Sequence, residues 1–232
     1  MAHGKKYREA LGKMDANKHY SLTEASELVK ATSTSKFDGS VEIHLNLGID
    51  VTQAEQQLRS TVSLPHGTGK TVRVIAIVSE DKVKEAKAAG AMEAGADELI
   101  EKIEKGWLDF DVAVATPDMM KNLAKVARQL GQAGLMPNPK SGTVTPDIVA
   151  KIGEVIKGQV EFRNDKLGNL HNVVGKTSFS ADQIKENAAA YLKAVNEKRP
   201  ATIKGNFINS ITLCPTMGPG IKVTVNETLS AL

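Results

Sequence analysis

The sequence predicts two domains. A discontinuous α+β domain, residues 1–67 and 159–232, carries an antiparallel or mixed sheet with helices, and a three-layer α/β domain of Rossmann-like strand–helix alternation, residues 68–158, is inserted into it. Three observations support this division. The 232-residue chain is long enough for one large or two modest cores. Period-two alternation, the pattern of strands with one wet face, occupies both ends of the chain. Between them, nearly continuous apolar runs alternate with helical segments, which implies a parallel sheet covered on both sides.

In chain order, Lys5 to Asn17 reads as a helix, and Ser21 with Glu24 forms a capping box opening a second helix through Ala31. From Val41 to Leu47, apolar Val41, Ile43, Leu45 and Leu47 alternate with polar Glu42, His44 and Asn46, so one face packs and the other stays available. After Pro65 and Gly67 comes the apolar run Val72 to Val78, a buried strand, feeding a helix near Asp81 to Ala89. A helix from Ala96 to Lys105, a strand from Asp111 to Ala115, and helices opened by Pro117-Asp118 and by Pro146-Asp147 complete the inserted block. Past Gly158 the half-wet pattern returns in Val160 to Arg163, a turn at Asn164 to Asn169 and a strand from Leu170 to Phe179. Ser180 with Gln183 caps a helix that runs to about Lys198 and stops before Pro200. The last strands are Phe207 to Leu213 and Ile221 to Val225. Gly67 and Gly69 mark one crossing between the domains and Gly158 the other, which suits either a hinge or an ordinary rigid linker.

Composition narrows the classes of function. Charged residues make up 25% of the chain and hydrophobic ones 41%, as in an ordinary folded protein. No apolar run is long enough to cross a bilayer, and Met1 to Lys18 has no apolar core of a signal peptide, so a cytoplasmic protein is expected. Cys214 is the only cysteine, which rules out an intrachain disulfide and a thiolate zinc cluster and points to a buried or inert thiol. The net charge is +3, compatible with nucleic acid without establishing it. Lys plus Arg against Asp plus Glu number 8 and 8 in residues 1–67, 13 and 13 in 68–158, and 9 and 6 in 159–232. The whole excess lies in the last third, so a nucleic-acid face belongs with the carboxy-terminal segment.

Several motifs turn out to be decoys. Gly69-Lys70-Thr71 looks like the end of a phosphate-cradling loop, but its first glycine would fall at Leu64 and a strand follows where a helix is needed. Gly67-Thr68-Gly69 lacks the third glycine of a dinucleotide fingerprint, because Val72 stands there. His3, His19, His44, His66 and His171 are dispersed, with no second ligand at metal-binding spacing, so no metal is expected. No Gly-x-Ser-x-Gly elbow occurs, and nothing asks for an enzyme. A nucleotide-dependent enzyme and a protein–protein scaffold are the competing classes.

Two segments resist a bland reading. Leu135-Met136-Pro137-Asn138-Pro139-Lys140-Ser141-Gly142-Thr143-Val144 is a long loop stiffened by two prolines. Thr216-Met217-Gly218-Pro219-Gly220 is longer and stiffer than a hairpin needs, and sets a hydroxyl, an apolar side chain and bare backbone side by side. That set suits close approach to ribose, with a purely structural turn as the alternative.

Taken with Val62-Ser63-Leu64-Pro65-His66-Gly67, Gly106-Trp107-Leu108-Asp109-Phe110-Asp111, Phe162-Arg163-Asn164-Asp165-Lys166 and Val174-Gly175-Lys176, these segments resemble the bacterial ribosomal protein L-one family, from about Lys5 to Val225. Asn226 to Leu232 match no pattern and receive no role. The resemblance implies a non-enzymatic ribonucleoprotein component in the cytoplasm, monomeric off the ribosome and without a cofactor. Its partners would be the large-subunit ribosomal RNA stalk helices, the exit-site tRNA that it helps to release, and its own operon messenger RNA, whose translation it represses. The interrupted domain would carry the RNA contacts in three patches: Lys36, Phe37, Ser40 and Glu42; Lys166, Gly168, His171 and Lys176; and Ser210, Thr216, Met217 and Gly218. The alternatives are structural, with Phe37 in the core, Glu42 paired with a lysine and His171 only filling a strand face. The inserted domain would swing about a two-strand hinge at Gly67, Thr68, Gly158 and Gln159, and Lys140 with its loop would face tRNA.

Overall fold

The computed structural model describes residues 4–203 and 205–230; His3 and Ala231-Leu232 lie outside the described residues. In chain order the elements are α1 (Lys5–Leu11), α2 (Leu22–Thr32), β1 (Ser40–Leu47), β2 (Arg59–Ser63), β3 (Val74–Ile77), α3 (Val83–Ala88), β4 (Glu93–Gly95), α4 (Asp97–Glu104), β5 (Val112–Ala115), α5 (Met120–Leu123), α6 (Ala127–Ala133), α7 (Ile148–Ile156), β6 (Gln159–Arg163), β7 (Asn169–Lys176), α8 (Ala181–Glu197), β8 (Ile208–Pro215), β9 (Ile221–Val223) and α9 (Val225–Ser230). Two compact units result, Met1–Gly69 with Val160–Leu232, and Lys70–Gln159.

The first unit is built on an antiparallel sheet of order β7-β1-β8-β9. Burial alternates strictly along β1: Val41, Ile43, Leu45 and Leu47 enter the core, while Ser40, Glu42, His44 and Asn46 stay half-buried on the other face. The core face is covered by α2 and α8, whose Val29, Ile184, Tyr191 and Leu192 join it. Each of these helices starts at a complete capping box, Ser21 with Glu24 and Ser180 with Gln183, so the first-turn amide groups have acceptors. Strands β2 and β6 form a separate two-stranded ladder.

The second unit holds a parallel sheet of order β4-β3-β5. All four residues of β3 are buried because successive side chains enter different cores. Ile75 and Ile77 pack with Leu99 and Ile103 of α4 and with Leu123 and Leu130 of α5 and α6. Val74 and Ala76 pack with Ala86 of α3 and with Ile152 and Val155 of α7. Helices therefore cover both faces of this sheet, which explains a strand written as an uninterrupted apolar run.

Elements differ from the sequence expectation in several places. The first helix stops at Leu11, not Asn17: Gly12 follows, and the Asp15 carboxylate accepts the Asn17 N–H, closing a turn in place of a helical bond. The strand expected from Leu170 to Phe179 ends at Lys176, because Asp38 captures the Ser178 N–H and both hydroxyls of Thr177 and Ser178. Burial works against the charge of Asp38, yet these bonds and nearby Lys176 bring its carboxyl below the usual range. The helix expected after Pro117 is broken into a 3-10 turn, α5 and α6, the last closed by left-handed Gly134. Short β2 and β4 had no expectation, and the strand expected from Ile221 to Val225 ends at Val223, with α9 taking Val225 and running through part of the segment that matched no pattern. Among the described residues no helix is long and apolar enough to cross a membrane.

Candidate nucleic-acid interface

The polar face of the four-stranded sheet carries most of the predicted residues, and the strand register decides which of them meet. Ser40 lies opposite Lys176, Glu42 opposite Cys214, His44 opposite both His171 and Thr212, and Asn46 opposite both Asn169 and Ser210. A bulge in the β1–β7 pairing between Val41 and Glu42 resets the alternation of β7. Without it Lys176, in phase with buried Leu170 and Val174, would point inward. With it, the Lys176 ammonium reaches the Ser40 hydroxyl at 3.1 Å on the polar face.

One end of that face is closed by the turn Thr216–Gly220. The Thr216 hydroxyl accepts the Ser40 N–H at 2.9 Å and donates to the Ser40 carbonyl at 3.0 Å, and the Thr216 N–H bonds the same carbonyl. Its hydroxyl therefore locks the turn onto β1 before any ligand arrives, so it is less free to read a ribose than the sequence suggested. Gly218 also has an inward reason to be glycine: a Cβ there would come within 2.5 Å of the Pro215 ring and 3.2 Å of the Thr32 carbonyl. Between them Met217 holds a left-handed backbone, φ 64°, with its side chain 75% exposed. A non-glycine residue in that region is strained by about 1–2 kcal/mol, and the surrounding lock over-determines it. Phe37, 63% exposed, lines a cleft together with Met217 and Lys36, which excludes the core reading of its ring.

The opposite end of the face is the turn between β6 and β7, built on Asp165, whose carboxylate accepts the Leu167 and Asn169 N–H groups. Lys166 is exposed on it. Gly168 is buried with φ 78°, and its carbonyl accepts the Leu47 N–H, so it shapes the turn and offers no side chain. The predicted residues thus form two clusters. Lys36, Phe37, Ser40, Lys176, Thr216, Met217 and Gly218 lie at one end; Lys166, Gly168 and Ser210 lie at the other. Six residues of β1 separate them, about 20 Å, and Glu42 and His171 lie between.

That middle ground contains residues the sequence did not single out. His44 and His171 meet through their Nδ1 atoms at 2.8 Å, so one nitrogen donates and the other accepts. The outer nitrogens face carboxylates, His44 toward Glu42 and His171 toward Asp165, each at 3.6 Å. Glu42 is thus partnered by a histidine and not by a lysine. Burial lowers the pKa of His44 first and the charge of His171 second, with Glu42 opposing. Beside the pair, Asn46 donates to Asn169 and accepts from Asn209, an amide chain across three strands. Leu167, 78% exposed next to Lys166, also escaped notice. The alternation had already placed His44 and Asn46 on the wet face; what it lacked was the register that joins positions 127 residues apart. Cys214 is half-buried on this face, and burial, then Glu42, pushes its thiol pKa upward, away from reactivity.

At the crossings, Gly67 and Gly158 both have left-handed backbones, and Thr68 and Gln159 are half-buried beside them. Asn187, fully buried in α8, donates to the Gly67 and Val174 carbonyls and accepts the His66 N–H, fastening the crossing segment to β7. Lys70 of the decoy glycine-lysine-threonine motif points at Asp111, 2.6 Å away, and β3 follows in place of a helix. That lysine, then the Arg73 N–H, holds the Asp111 carboxyl far below the usual range. In the second unit the proline-bearing loop is tied by its own hydrogen bonds. Asn138 accepts the Lys140 N–H, its own N–H bonds the Thr143 hydroxyl, and Gly142 turns left-handed at φ 66°. Among the described residues no group of three or more His, Cys, Asp or Glu side chains could hold a metal ion.

Comparison with known proteins adds an independent line. Residues 29–219 match the model of the ribosomal protein L1p/L10e family. The chain is 52% identical over 225 residues to the large ribosomal subunit protein uL1 of Fervidobacterium nodosum, covering 97% of this chain and 96% of that one. It is 54% identical over 224 residues to the protein of the same name from Chloroflexus aurantiacus, with 95% and 94% covered. With that of Kosmotoga olearia it shares 50% identity over 219 residues, 94% and 95% of the two chains.

Proposed function

Because the chain belongs to the ribosomal protein L1p/L10e family, a non-enzymatic structural component of the large ribosomal subunit that binds its RNA, we propose that it reads the RNA stalk helices through the polar sheet face of its first unit. In this reading residues 1–67 and 159–232 form the discontinuous α+β RNA-binding domain, and residues 68–158 the inserted three-layer, Rossmann-like domain. Gly67, Thr68, Gly158 and Gln159 serve as the hinge between them. The observation that carries the proposal is the end of the sheet face, where strained and exposed Met217 lines a cleft with exposed Phe37 and Lys36, and Lys176 reaches Ser40, the residue that the turn is bonded to. A folded protein keeps an apolar pair in water and a backbone in a costly conformation at sites of contact.

The face is mixed in charge, with Glu42 and Asp165 among its lysines, so it suits recognition of RNA shape and 2′-hydroxyls more than a tract of phosphates. Filter binding to a large-subunit ribosomal RNA stalk fragment, in competition with unrelated duplex RNA, tests this directly. Selective binding that weakens modestly with salt is expected. Equal affinity for both RNAs, or a salt slope implying about ten phosphate contacts, refutes it. We further infer that the chain is a monomer off the ribosome, works in the cytoplasm, assists release of deacylated tRNA from the exit site with Lys140 and its loop facing that tRNA, and represses translation of its own operon. Repression would use a messenger RNA structure that mimics the ribosomal site. A reporter fused to the messenger leader should then be repressed by the protein and released by the stalk fragment.

A further inference from the structure

The sheet face ends at a cleft lined by Lys36, Phe37 and Met217 of the proposed patches and by the amino-terminal segment, which none of the patches includes. It encloses about 640 Å³ between the start of α1 and the segment before β1, and its lining includes Lys5, Lys6, Tyr7, Lys36, Phe37 and Met217. Phe37 and Met217 expose an aromatic face and a thioether into it. Its cations are uncommitted: among the described residues Lys5, Lys6 and Lys36 form no ion pair, whereas Lys18, Lys70, Lys102 and Lys151 each have a carboxylate partner. Among the described residues no acidic side chain lines the cleft.

A flat duplex surface does not need a hole of this kind, but an unstacked base does. Bases turned out of loops and bulges are held on aromatic side chains, and their phosphates by lysines that have no internal partner. We propose that this cleft receives one unpaired base of the bound RNA against Phe37 and Met217, with Lys5, Lys6 and Lys36 on the flanking phosphates. The inference rests on the reading of the sheet face as an RNA site. It brings the amino-terminal segment, to which no role was assigned, into that site. The left-handed backbone of Met217 supports it, because the lock on Thr216 holds the thioether in the cleft wall before RNA arrives.

The test compares wild type with Phe37→Leu, Phe37→Trp and a Lys5→Gln/Lys6→Gln double variant, using the stalk fragment over a series of salt concentrations. Phe37 is mostly exposed, so each variant should melt as wild type does, and that is checked first. Phe37→Leu keeps an apolar side chain but removes the ring face, and should lose about tenfold in affinity, while Phe37→Trp retains it. The double variant should flatten the dependence of log K on log salt by about 1.4. Ultraviolet cross-linking of the wild-type complex should join one unpaired nucleotide to the cleft. Phe37→Leu binding as tightly as wild type, or cross-links confined to paired nucleotides elsewhere, overturns the base-binding cleft while leaving the RNA face standing. A wild type that shows no preference for the fragment overturns both.

Discussion

Met217→Gly should make the free protein more stable and the RNA complex weaker. The residue's left-handed backbone, φ 64°, costs about 1–2 kcal/mol that glycine does not bear. Glycine gives back about 0.5–1 kcal/mol by enlarging the freedom of the unfolded chain. The side chain is 75% exposed, so little packing is lost in the free protein. The balance is a gain of about 0.5–1 kcal/mol, a rise of about 1–4 °C in the midpoint of the transition. In the proposed RNA interface the exposed thioether would be the central apolar contact, and its removal should weaken binding by about 1–3 kcal/mol. Thermal denaturation of the free protein and filter binding to the stalk fragment measure the two halves separately. A variant that is less stable would show that the turn is not strained. One that binds as tightly as wild type would show that the exposed side chain is not part of the interface.

The remaining predictions concern the scaffold. Asn187→Leu removes partners from the His66 N–H and the Gly67 and Val174 carbonyls in a fully buried setting. It should cost about 2–5 kcal/mol in urea denaturation, at the upper end for lost hydrogen bonds because three backbone groups are left without a partner. Stability should fall with acid in two stages. His44 is held below its ordinary pKa, so below pH about 6.5 the unfolded chain takes up a proton that the fold resists. Glu24, Asp38, Asp50, Asp111 and Asp165 are likewise lowered, so their contribution is present above about pH 4 and lost as pH falls through their folded values. Denaturation midpoints across that range check both stages, and a stability that rose on acidification would contradict the sign.

How much of the fold was legible depended on whether the signal was local. The capping boxes at Ser21 and Ser180 and the alternation of β1 are written within a few residues, and the boundaries they imply hold closely. Strand β4 has three residues, Glu93–Gly95, in an alanine- and glycine-rich stretch, and it exists because β3 offers it a parallel edge. Nothing in its own composition asks for a strand. The site was legible in the same uneven way. Exposed Phe37, Met217 and Lys166 stand on loops whose residue types drew attention. The His44–His171 contact depends on a register set by long-range pairing, and the inward demand for glycine at 218 comes from Pro215 and Thr32. A local pattern shows that a residue is unusual but not which neighbour made it so.

The bulge opposite Val41 and Glu42 has a consequence for anyone redesigning this sheet. Forcing β7 into a regular ladder with all of its residues kept would improve the pairing on paper. It would also rotate every later side chain of the strand through half a turn and drive the Lys176 ammonium toward the oily layer beneath α8. The irregular step is thus a phase shifter, and smoothing it would exchange a small defect in geometry for a cation in the wrong solvent.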